Sequence, residues 1–137
     1  MHTIVSVSLM DARRVIDAGL AKAKEINSPA NIAVADAGGN LLAFARMDDA
    51  WLGSIDIAIN KAFTSRAFDV ATGQLAGLAQ PGQQFYGIHA SNHGRIMIFA
   101  GGLPLKSNGH VVGAVGVSGG TGAQDQAIAE AAAAALQ

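Results

Sequence analysis

His89 and His93 stand four residues apart, the interval that places two imidazoles on one helix face as a metal or haem-iron ligand pair. Ser91-Asn92 between them and Gly94 after them read as loop, and no glutamate completes a His-Glu-x-x-His pattern. A pocket-lining or surface histidine therefore competes with the ligand reading. Asp36 and Asp48 flank a short apolar hairpin, with Arg46 beside Asp48. Turned inward, these groups could orient a small acid or transfer a proton. Turn chemistry at Asp36 and a surface ion pair between Arg46 and Asp48 explain the same residues. Lys61 stands among apolar neighbours, where it reaches a pocket, meets a subunit, or merely snorkels. Gly119, Gly120 and Gly122 open a helix whose N–H groups could bind an anion. A Walker loop, a Gly-x-Gly-x-x-Gly strand-to-helix junction and a Gly-x-Ser-x-Gly elbow are all absent.

The elements that must position these groups follow from periodicity. Ser8 and Asp11 have capping-box spacing, and Leu9, Ala12, Ile16, Leu20 and Ala23 form the stripe of an amphipathic helix ended by Pro29. Asn31–Ala35 and Leu41–Met47, separated by Gly, Asp and Asn, read as a β-hairpin. A second helix starts at Gly53-Ser54, with Ile55, Ala58, Ile59, Ala62, Phe63 and Val70 inward, and Thr72 caps a shorter one through Ala79. Phe85–His89 suggests a helical turn before a loop. Ile96–Phe99, Leu103–Lys106 and His110–Ser118 then read as three strands. Asn108-Gly109 is the strongest hairpin signal, because a type I′ turn needs φ > 0 at both central positions. An alanine-rich helix, Gly122–Leu136, closes the chain. Short hairpin links favour an antiparallel sheet with helices against it, an α+β fold in one domain over residues 1–137.

Composition narrows the partners. Of 137 residues 50% are apolar and only 14% charged, which leaves apolar surface suited to subunit contacts. A homo-oligomer is expected. The net charge of −1 and the lack of a basic run argue against nucleic acid and anionic membrane as partners. With no cysteine, disulfides and thiolate metal sites are excluded. No secretory pattern opens the chain and no 18-residue apolar run occurs, so a cytoplasmic setting is expected.

Several blocks occur in order: Val34-Ala35-Asp36-Ala37-Gly38-Gly39-Asn40-Leu41-Leu42, Arg46-Met47-Asp48, Lys61-Ala62-Phe63-Thr64, Gly101-Gly102-Leu103-Pro104-Leu105, and Gly113 to Gly120 followed by Gln124-Asp125. Together, over nearly the whole chain, they resemble the GlcG/HbpS family, whose domain is also appended to some PduO cobalamin adenosyltransferases. Each block alone is weakly specific; the ordered set is strong. The resemblance implies a profilin-like architecture with a five-stranded antiparallel sheet, assembly from dimers up to octamers, and haem binding in some members. Met47-Asp48-Asp49-Ala50 departs from the Met-Asp-Gly-Ala of relatives by an added charge. The expected site lies between the first hairpin, the second helix and Gly101–Leu105. Its candidate ligand-binding residues are Arg46, Asp48, Lys61, Phe85, His89, Gly101, Gly102 and Leu103, with His89 or His93 on a haem iron. The rival is a small catabolic hydrolase or isomerase acting on a small carboxylic acid or imine. Arg46 or Lys61 would hold the carboxylate there, and Asp36 or His89 would serve as acid or base. A structural or regulatory oligomeric module is the third possibility.

Overall fold

A computed structural model describes residues 1–136. The elements run α1 (Leu9–Glu25), β1 (Asn31–Asp36), β2 (Leu41–Arg46), α2 (Gly53–Phe68), α3 (Thr72–Leu78), β3 (Gly102–Ser107), β4 (His110–Ser118) and α4 (Gly122–Ala134). The strands form one antiparallel sheet in the order β2-β1-β4-β3. Central β1 and β4 are buried almost throughout, which is why their sequences are near-continuous apolar runs. Pro104 sits on edge strand β3, where a missing N–H is tolerated.

Among the described residues the sheet has four strands, not the five expected. The missing one is Ile96–Phe99. Its Met97 N–H donates to the Thr64 hydroxyl at 2.9 Å instead of to a neighbouring strand, so the segment runs as irregular chain along α2. Ile96 is nevertheless buried, so the apolar run marks a covering segment.

Both faces of the sheet carry helices. On one, α1 and α4 pack together and onto an aliphatic cluster that includes Val15, Ile16, Ile32, Val34, Leu105, Val115, Val117 and Ile128. On the other, α2 lies across β1, β4 and β3 through Ala33, Ala35, Ala58 and Ala62. Gly116 sets that approach: a Cβ there would collide with Ala58 O and Ala62 N, so only glycine lets the α2 backbone lie this close.

Local chemistry fixes the ends. Ser8 and Asp11 form a reciprocal capping box on α1, and Thr121 and Gln124 form another on α4. Thr72 does not cap α3. Ala71 is the N-cap residue, and the Thr72 hydroxyl accepts the Gly102 N–H at 2.9 Å, tying α3 to β3. Asn108 and Gly109 take φ of 51° and 79°, as the β3–β4 turn requires. Among the described residues no helix is long and apolar enough to cross a membrane.

Candidate functional site

The sequence puts Lys61 in mid-helix, and the fold turns it inward. Its side chain is fully buried, and its Nζ donates to Val117 O at 2.7 Å and to Asp125 Oδ2 at 3.2 Å. The Phe99 ring covers the ammonium, its centroid 4.8 Å from Nζ. Asp125 is buried as well, and its Oδ1 accepts the Gly120 N–H at 2.9 Å. One ion pair thus joins α2, the end of β4 and the first turn of α4. Burial pushes the Lys61 pKa below its ordinary 10.5, with the Asp125 charge and hydrogen bond opposing that shift.

Glycine shapes the space around the amine. A Cβ on Gly101 would lie 2.7 Å from Lys61 Nζ and 2.5 Å from Val117 O, and φ at Gly101 is 122°. A Cβ on Gly102 would lie 2.8 Å from Lys61 O and 3.0 Å from Ser65 Oγ. The structure therefore brings Lys61, Gly101 and Gly102 together and adds Asp125 and Phe99. Leu103, by the alternation of the strand, packs against the aliphatic cluster. Asp125 and Phe99 were not singled out from sequence: one reads as a first-turn helix acid, the other as part of a strand.

The histidines lie on the loop between α3 and β3. Ile88–Ala90 and Asn92–Gly94 form two short 3-10 turns, split at Ser91, with left-handed backbone at Asn92 and His93. That break removes the common helix face that a spacing of four would require. His93 is exposed, whereas His89 is half-buried, its ring 5.8 Å from Tyr86. The Nδ1 of His89 is buried without a hydrogen-bond partner. Phe85 and Tyr86 stand exposed on the same loop.

The first hairpin supplies less. Asp36 Oδ1 accepts the N–H groups of Gly38 and Asn40 at 2.9 and 3.0 Å, a turn-forming role. Arg46 and Asp48 are exposed, and among the described residues neither enters an ion pair. Asp36 and Arg46 do not share the buried site with Lys61, whose carboxylate partner is Asp125. The molecule also has shallow clefts. One of about 350 Å³ lies where Trp51 and Asp49 face Gly119–Thr121, and one of about 310 Å³ lies where Phe63 and Arg66 face Gly38-Gly39. Among the described residues no group of three or more His, Cys, Asp or Glu could hold a metal ion.

Fold and site together define a small α+β domain, a four-stranded antiparallel sheet between helix layers, pinned on one face by a buried lysine–aspartate pair. The sequence profile of the family described as haem degrading protein HbpS-like matches residues 7–134, and the chain belongs to this GlcG/HbpS family. A 15.0 kDa protein of the dhaT-dhaS intergenic region of Citrobacter freundii is 47% identical over 129 residues, covering 94% of this chain and 91% of the relative. The corrinoid adenosyltransferase PduO of the same organism is 36% identical over 96% of this chain, which spans only 39% of that protein. The crystal structure of a PduOC:haem complex superposes with a TM-score of 0.91 at 35% identity, covering 96% of this chain and 95% of the other.

Proposed function

We propose that this protein is a cytoplasmic, homo-oligomeric binder of a small ligand, and that the ligand is haem. The surface of the α3–β3 loop carries the proposal: Phe85 and Tyr86 are exposed on the same loop as His89, whose half-buried ring lies 5.8 Å from that of Tyr86. Flat apolar faces next to one imidazole are what a porphyrin needs, and the similarity to the PduOC:haem complex supports the same ligand. The donor set fits in kind. His89 would hold the iron, with Phe85 and Tyr86 against the macrocycle. Haem held there would supply a redox-active iron. His93 is exposed on a left-handed turn and is the weaker ligand candidate. Exposed Trp51 and Leu52, neighbours in the chain, support self-association, since exposed apolar surface favours subunit contacts.

Haemin titration of the purified protein is expected to give a saturable Soret band. His89→Ala should move its position and weaken binding by about tenfold or more, a loss near 1.4 kcal/mol. A His93→Ala variant should behave as the parent. An unsaturable Soret increase that His89→Ala leaves unchanged overturns the haem reading.

A further inference from the structure

We infer that Lys61 is a gated reactive amine that captures a small, uncharged aldehyde as a Schiff base beneath the Phe99 ring. This is independent of haem binding: of the residues it uses, only Phe99 and its flanking segment share the α3–β3 connection with Phe85, Tyr86 and His89.

Three observations lead to it. The first is the kind of cover over the amine. Val117 and Asp125 hold Nζ from the protein side, but what lies over the nitrogen is a phenyl ring that is itself 45% exposed. The amine thus sits one movable side chain beneath solvent. The second is the segment that carries the ring. It is irregular from Ile96 to Ala100 and is anchored at Met97 by Thr64 and at Gly101 by the Val117 N–H at 2.8 Å. Gly101, with φ of 122°, gives its C-terminal end a backbone most residues rarely adopt, and Gly73 of α3 and Gly122 of α4 face the small Ala100 side chain without a side chain of their own. The third is the pair itself. A buried ion pair is a poor means of stabilising a fold compared with well-packed apolar groups, and here burial favours the free amine while Asp125, which opposes that shift, lies within hydrogen-bond reach to take the proton. The direction of the Lys61 pKa agrees with that use.

The neighbourhood also sets the electrophile. Lys61 and Asp125 form a neutral pair. The cations near α2 are engaged: Arg66 with Asp69 and Ala37 O, Arg95 with Asn60 and the Phe63 ring. Among the described residues no free cation there is placed to hold a carboxylate, so an uncharged aldehyde is favoured over an oxo acid. In the step, Asp125 takes a proton from the Lys61 ammonium, and the free amine adds to the carbonyl carbon. The resulting carbinolamine keeps the oxygen as hydroxyl. Proton return from Asp125 expels that oxygen as water and leaves a protonated imine on Nζ. Aldehyde and ammonium in give iminium and water out, with no redox change.

The full-length protein, free of haem, is treated with acetaldehyde and cyanoborohydride at neutral pH, and alkylation is mapped by peptide mass spectrometry. Lys22, Lys24 and Lys106 serve as internal controls. Lys61 is expected to alkylate faster than Lys106, because desolvation favours its free amine. Phe99→Ala should speed the reaction further, and Phe99→Leu does the same duty if the alanine variant does not fold. Labelling of Lys61 no faster than the exchange of buried core amides, while the three control lysines react, overturns the proposal. So does an equal Lys61 rate in the parent and in a folded Phe99 variant. A failed haemin titration leaves this assay unaffected.

Discussion

The two faces of the sheet are packed by different means. Against α1 and α4, branched side chains such as Ile32, Val34, Val115, Val117 and Ile128 fill the space, and their burial is worth roughly 1.5–3 kcal/mol each. Against α2 the contacts are alanine and glycine, which bury little area but bring backbones close. The polar side of α2 (Asn60, Lys61, Thr64 and Ser65) is buried rather than solvated, because the segment from Arg95 to Gly101 lies over it. One face supplies bulk stability. The other gives up area for proximity, and the only buried ion pair among the described residues lies there.

The hardest test of that contrast removes the compensating charge. Asp125→Asn leaves a fully buried Lys61 without its partner, a loss expected to cost about 3–5 kcal/mol at neutral pH. The pH dependence distinguishes this from lost packing. Asp125 opposes the fall in the Lys61 pKa, so the substitution lowers that pKa further. Between the folded-state pKa and the ordinary 10.5, the unfolded chain then binds a proton that the folded chain does not. Stability rises with pH in that window, and much of the deficit should be recovered as pH approaches 10.5. Urea unfolding of parent and variant across that range reads it directly. A deficit independent of pH would mean that the pair matters only for its shape.

Gly116→Ala comes next in size. Its new methyl would meet Ala58 O and Ala62 N of α2, and backbone cannot step aside as a side chain can. A loss of about 1–3 kcal/mol in denaturant unfolding is expected, and the Phe99 cover over Lys61 should loosen with it. No change in stability would mean that the close approach of α2 is not required.

Much of this fold was legible in the chain. Ser8 with Asp11 marked the start of α1, Asn108-Gly109 marked the β3–β4 turn, and the apolar runs marked β1 and β4. The errors share a cause. Ile96–Phe99 has strand composition, but its hydrogen bonding goes to Thr64, a long-range partner that no local pattern reveals. Periodicity placed Ile55, Ile59 and Phe63 inward on α2, yet all three are only half-buried, while Lys61 and Thr64 are enclosed. Apolarity predicts burial where the opposing surface is apolar, and here it is a hydrogen-bonding segment and an aspartate. Asp125 was visible only as part of a Gln-Asp block; a first-turn acid pointing at a lysine 64 residues away has no local signature.

The smallest effect belongs to the aliphatic face and is the control for the rest. Ile128 is fully buried in the larger cluster, and Ile128→Val removes one methylene without adding a polar group or touching backbone. A cost of about 0.5–1.5 kcal/mol follows, from lost transfer energy and a small residual void. Because that cluster lies across the sheet from Lys61, the loss should be independent of pH. The aldehyde-labelling rate of Lys61 should also stay at the parent value, and the cost should add to that of Gly116→Ala within a few tenths of a kcal/mol. Strong non-additivity, or a changed Lys61 rate, would show that the two faces form one coupled core rather than a stabilising face and a site-bearing one.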